Sequence, residues 1–191
     1  PLLPQISPSM TYDLAISFLT PHRIVAEKVK AKKKIAWIHT DYTRVWVDAE
    51  DELKVWQKYD YVASISGDVT NTFLQVFPSL APKIVEIENI LSPTFVRKRA
   101  ELQDVDKEIR HEGTITLLSV GRFSDAKNYD NVPDICKRLI NETKLNIKWY
   151  IIGYGGDEAL IRKKIKEAGM EEHVILLGKR SNPYPYIKAC D

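Results

Sequence analysis

Seven short apolar runs, alternating with stretches of helical character, constrain this chain more than any other feature. They are 13–18 (DLAISF), 34–40 (KIAWIHT), 61–66 (YVASIS), 84–89 (IVEIEN), 114–120 (TITLLSV), 147–153 (IKWYIIG) and 174–178 (VILLG). Most are rich in β-branched and aromatic residues and nearly continuous in apolar character. Such runs suit parallel strands covered on both faces. Between them the period changes. In 128–143, Val132, Ile135, Cys136, Leu139 and Ile140 form one stripe at helical spacing, and in 157–168 Leu160, Ile161, Ile165 and Ala168 do the same. Ser66 reads as the N-cap of a helix carrying Val69, Phe73, Val76 and Phe77, which Pro78 helps to end. Strands alternating with helices mean βαβ units, hence an α/β fold with parallel sheets and right-handed connections.

One stretch breaks the alternation. Residues 92–113 are polar and charged and read as a linker with at most a helical turn. The expected organisation is therefore a first α/β domain over 1–95, a linker over 96–113 and a second α/β domain over 114–191. Hydrophobic residues make up 44% of the 191 and charged residues 28%, so a packed core is expected rather than disorder. With 28 basic and 26 acidic side chains the net charge is +2, which argues against a nucleic-acid binder. Cys136 and Cys190 lack metal-ligand spacing and read as reduced thiols, which points to the cytoplasm. No apolar run approaches the roughly 18 residues of a membrane span. The opening, PLLPQISPSM, lacks an initiator Met and a capping signal. It reads as the start of a fragment.

The stretch LLSVGRFSDAKN, 117–128, carries the most pointed chemistry. Arg122 follows the end of a predicted strand, and Lys127 sits just before a predicted helix. In open parallel sheets ligands collect at the C-terminal strand ends, where helix N-termini expose N–H groups and the positive end of the dipole. Phosphate suits such a place. The plain alternative is a pair of solvated loop cations. The stretch lacks the glycines of a Walker loop, and GYGGDE, with Gly153 and Gly155, does not spell GxGxxG, so a P-loop kinase and a nicotinamide-cofactor domain are both disfavoured. A tight turn and a ligand contact are equally good readings of GYGG.

Taken together, VGRFSDAKN, IIGYGGDE and VILLG resemble the C-terminal nucleotide-sugar domain of retaining glycosyltransferases of family 4, the group 1 glycosyltransferases. YDLAISF, KKKIAWIHTDY, YDYVASISGDVTNTF and VEIENILSP resemble the later part of the acceptor-side domain of the same fold. The resemblance spans essentially the whole chain. It implies GT-B architecture: two partial Rossmann-like parallel-sheet domains, truncated at both ends. It also implies transfer of a sugar, with retention, from a nucleotide-diphosphate sugar to a polysaccharide or lipid-linked acceptor. Arg122 and Lys127 match the family's diphosphate-holding Arg and Lys, and His39 matches a strand-end His that contacts the donor sugar. Gly121, Gly153, Gly155, Lys179 and Arg180 match positions near the nucleotide. No metal or other cofactor is expected.

Three departures qualify the match. The family's paired glutamates would lie beyond Asp191, its glycine-rich loop would precede Pro1, and its usual NG(V/I)D appears as NILS at 89–92. Little or no turnover is therefore expected of this chain alone, and truncated sheet edges make self-association an expectation. Two other readings stand beside the transferase: a non-catalytic α/β nucleotide- or phosphate-binding module, and a GT-B sugar-nucleotide epimerase. The five lysines of EKVKAKKK, 27–34, read as a solvated helix end, with peripheral contact to an anionic membrane on its cytoplasmic face as the alternative. In 41–60, Trp46 and Trp56 read as packing residues of a helix covering the sheet, with an acceptor-site element as the alternative. Tyr184 and Tyr186 read as the start of a helix against the sheet.

Overall fold

The structure, a computed structural model, describes residues 3–191. The chain divides into two compact units, one ending at Leu91 and the other beginning at Ser92. The first contains β1 (Tyr12–Ser17), α1 (Arg23–Lys28), β2 (Ala31–Ile38), α2 (Ala49–Trp56), β3 (Tyr61–Ser64), α3 (Gly67–Val76) and β4 (Ile84–Glu86). The second contains α4 (Pro93–Ala100), α5 (Asp106–Ile109), β5 (Thr114–Val120), α6 (Val132–Thr143), β6 (Asn146–Ile152), α7 (Glu158–Ala168), β7 (Val174–Gly178) and α8 (Tyr184–Ala189). Both sheets are parallel, in the orders β1-β2-β3-β4 and β5-β6-β7. Strands thus form where the seven apolar runs predict them, with shifts at the ends. β2 starts three residues early, inside the lysine run, and β4 stops at Glu86.

The first unit builds one core. Ala36, Ile38 and Val62 point from the sheet toward Trp56, Tyr59, Phe73, Phe77 and Leu80. Trp56 is fully buried, whereas Trp46 is 92% exposed, so only one of the two tryptophans packs. Ser66 caps α3 as expected, its Oγ accepting from the Val69 N–H at 3.3 Å. The opposite face of this sheet departs from expectation. Rows such as Ile16–Ile35–Tyr61 lie across it, and Leu14, Ile16 and Phe18 are about half exposed, at 47%, 48% and 52%. Among the described residues, no helix of this unit packs there.

The second unit covers its sheet on both faces. Ile147, Trp149 and Ile151 join Val132, Cys136, Ile161 and Ile165 on one side. Tyr150 and Ile152 join Val105, Ile109, Tyr186 and Ala189 on the other. Tyr186 therefore packs against the sheet, as its sequence context predicts. Two helical positions do not pack as expected: Ile135 and Leu160 stand 45% and 43% exposed, at the margins of their stripes.

The expected linker over 96–113 is not a spacer in the structure. It holds most of α4 and all of α5, and the apolar pair Val105 and Ile109 is buried beneath β5 and β6. Polar composition concealed this because two apolar side chains suffice to dock one helical turn. Ser92 and Pro93 start α4: the Ser92 Oγ accepts from the Phe95 N–H at 3.2 Å, and proline at the first helical position loses no hydrogen bond.

The lysine run is largely engaged locally. Lys32 pairs with Asp13 at 2.6 Å and Lys33 with Asp60 at 2.8 Å, while Lys34 donates to the Ala26 carbonyl at 2.7 Å. No described helix is long and apolar enough to cross a membrane.

Candidate functional site

The second unit gathers most of the sequence-predicted residues at the C-terminal ends of its three strands. Three backbone hydrogen bonds tie these ends together. Gly121 N–H donates to Ile152 O at 3.0 Å, Gly153 N–H to Gly178 O at 3.0 Å, and Phe123 N–H to Tyr154 O at 2.9 Å. Such close approach leaves no room for side chains. A Cβ on Gly153 would lie 2.0 Å from Gly121 O, and one on Gly155 would lie 2.2 Å from Phe123 O. These two glycines are required by the packing of one strand-end loop on the next. The tight-turn reading of GYGG accounts for both glycines, and Gly153 also lines the groove above the turn.

Above these loops lies a groove of about 240 Å³, lined by Val120, Gly121, Arg122, Ile152, Gly153, Tyr154, Lys179 and Arg180. Five residues singled out from sequence thus meet in one place: Gly121, Arg122, Gly153, Lys179 and Arg180. Arg122 is exposed, and no carboxylate pairs with it among the described residues. Arg180 is differently placed. Its Nε donates to the Tyr186 hydroxyl at 3.0 Å, and its guanidinium lies 3.6 Å from Glu108 Oε1. This arginine braces α8 against α5, which sequence reasoning could not foresee while 96–113 read as a linker.

Lys127 and Gly155 do not line the groove. Lys127 sits, exposed, in a single 3₁₀ turn over Asp125–Lys127. The long helix expected to begin at 128 begins at Val132 instead. Asn128 takes a left-handed conformation, and a second 3₁₀ turn, Tyr129–Asn131, intervenes. The α6 N-terminus is therefore several residues beyond Lys127, and the local cation is not stacked directly on a helix start.

His39 belongs to the first unit and follows the last residue of β2. Its ring lies 4.6 Å from that of Phe18, and its Nε2 is buried without a hydrogen-bond partner among the described residues. It borders a small cavity of about 40 Å³ with Leu19, Thr20, His22, Trp37 and Tyr42. His22 is only 5% exposed, its Nδ1 is 2.8 Å from Ser17 Oγ, and its ring packs on Trp56. Burial, with the nearby His39 adding to it, lowers the His22 pKa from 6.5 to about 4. Sequence reading passed over His22 because a histidine in a connecting loop carries no motif.

Tyr154 also escaped notice, hidden between two glycines. It is 54% exposed, and Lys179 Nζ lies over its ring at 5.0 Å from the centroid. Among the described residues no three His, Cys, Asp or Glu side chains converge to hold a metal ion.

Residues 102–191 match the family model described as "Glycosyl transferases group 1". The chain is 30% identical over 138 residues to the N-acetylgalactosamine-N,N'-diacetylbacillosaminyl-diphospho-undecaprenol 4-alpha-N-acetylgalactosaminyltransferase of Campylobacter jejuni subsp. jejuni serotype O:2. That alignment covers 72% of this chain and 35% of the relative, so the chain matches about a third of that protein's length. Among solved structures, Anabaena Alr3699/HepE in complex with UDP superposes with a TM-score of 0.69 at 16% identity, covering 94% of this chain and 52% of that one. The pneumococcal O-GlcNAc transferase GtfA, in complex with UDP and GlcNAc, gives 0.63 at 21% identity, over 92% and 36%.

The fold is that of the GT-B glycosyltransferases. Over residues 102–191 the second unit is similar to the group 1 glycosyltransferases.

Proposed function

We propose that this chain binds a nucleotide-diphosphate sugar and serves retaining transfer of its sugar to a polysaccharide or lipid-linked acceptor. The observation that carries this reading is the groove at the ends of β5, β6 and β7, where Arg122 stands exposed beside the strand-end glycines. When a sugar–phosphate bond breaks, negative charge grows on the departing diphosphate. A fixed guanidinium beside that charge stabilises the transition state more than the ground state. Lys127, on the turn that follows, is assigned the same diphosphate. His39 is assigned to the donor sugar on the resemblance of its strand-end position to that of the family's histidine.

Support comes from the family match of residues 102–191 and from the relative's name, which describes a glycosyltransferase acting on a diphospho-undecaprenol acceptor. The test is calorimetric titration of the protein with UDP and with GDP. Arg122→Ala and Lys127→Ala should each weaken binding by on the order of ten- to a hundredfold, the scale of hydrogen bonds to charged groups. Equal affinity in all three proteins removes the phosphate assignment.

A further inference from the structure

The groove is not uniformly suited to phosphate. Beside Arg122 its walls include the apolar side chains of Val120 and Ile152 and the Tyr154 ring. The two basic residues after β7 do not leave two free cations there. Arg180 is held by Glu108 and Tyr186, and Lys179 lies over Tyr154. The part of the groove near Tyr154 thus offers a flat aromatic surface with a cation on it, next to an unpaired guanidinium. A volume of about 240 Å³ falls below the roughly 300 Å³ at which pockets begin to enclose a drug-sized ligand, so it fits part of a nucleotide rather than all of it.

We infer that the Tyr154 ring is the platform on which the base of the bound nucleotide stacks, braced by Lys179, while Arg122 takes the diphosphate. This rests on the nucleotide-binding reading above and adds a residue and a division of labour to it. Every base has a π-face, so a tyrosine platform gives affinity with little choice between bases. Tyr154 is free to serve because its side chain belongs to none of the apolar cores, while its backbone carbonyl accepts from the Phe123 N–H. Lys179 Nζ, 5.0 Å from the ring centroid, adds a cation–π contact to the platform.

The experiment compares UDP, GDP and inorganic pyrophosphate by calorimetry on the unsubstituted protein and on Tyr154→Ala, Tyr154→Phe and Arg122→Ala. Tyr154→Ala should weaken UDP and GDP by about five- to a hundredfold, the range of base–aromatic stacking, and leave pyrophosphate unchanged. Tyr154→Phe should retain nucleotide affinity within about twofold, because the ring remains. Arg122→Ala should weaken all three ligands. Unchanged nucleotide affinity in Tyr154→Ala, with Arg122→Ala still impaired, overturns the platform and leaves the diphosphate site standing. Equal loss of pyrophosphate and UDP in Tyr154→Ala also overturns it, since the ring would then act through the phosphate. No nucleotide binding by the unsubstituted protein removes both readings together.

Discussion

The two units are built by the same rule and finished differently. Each is a parallel sheet whose strands are joined by helices, and each strand set reads as apolar on both faces. In the second unit successive residues of β6 feed two cores: Trp149 and Ile151 on one side, Tyr150 and Ile152 on the other. In the first unit the residues of β2 feed one core through Ala36 and Ile38, and the neighbouring β1 leaves Leu14 and Ile16 about half exposed. The difference teaches that a continuous apolar run reports what a strand's side chains are, not what lies against them. An exposed row of this kind is a surface suited to covering.

The sharpest way to break this comparison is to place one charge on each uncored or cored face. Ile151→Lys puts an ammonium into an enclosed core and should cost more than about 4 kcal/mol, unfolding the second unit. Ile16→Lys, on the open face, should change stability by no more than about 0.5 kcal/mol. Hydrogen exchange read unit by unit separates the two. Comparable losses would mean that the first sheet's outer face is covered in solution.

Trp56→Ala should cost about 3–5 kcal/mol, because the fully buried indole packs on His22, Tyr42, Tyr59 and Phe73. Exchange protection should fall in the first unit while the second keeps its own. Loss across both units together would show that they unfold as one.

Gly153→Ala should cost about 1–3 kcal/mol by forcing apart the β5 and β6 loops, whereas Gly156→Ala, with open space around the added Cβ, should be close to neutral. Urea denaturation of both variants checks this. A neutral Gly153→Ala would mean that the strand ends are not in contact as described.

The first unit also responds to pH. The His22 pKa is depressed, so the unfolded chain takes up this proton before the folded one. Its contribution to stability is complete above about pH 6.5 and declines as the pH falls from 6.5 toward 4. The thermal midpoint read from first-unit tryptophan fluorescence should fall across that window, and His22→Gln should flatten the slope. An equal slope in both proteins would place the titration elsewhere.

Much of the site is legible in the order of the chain. The approach of Arg122 to Gly121, Gly153, Lys179 and Arg180 follows from all of them lying at strand ends in a parallel sheet, a consequence of period and order alone. The status of Arg180 was not legible, because its partners Glu108 and Tyr186 are 72 and 6 residues away, and only packing brings the three together. Nor was the role of 96–113, where charge concealed the buried pair Val105 and Ile109. The start of α6 was misjudged because Asn128, which turns left-handed, and Tyr129, which is buried, lie in a stretch with no distinguishing period.

By itself the sequence determined the class of fold, the number and place of the strands and the chemistry at their ends, since backbone hydrogen bonding and side-chain periodicity are local matters. The tertiary structure alone decided which apolar faces are covered, which cations stay free and which glycines are indispensable. Those properties depend on distances between residues far apart in the chain, as when Gly153 must pass so near Gly121 that not even a methyl group fits between them.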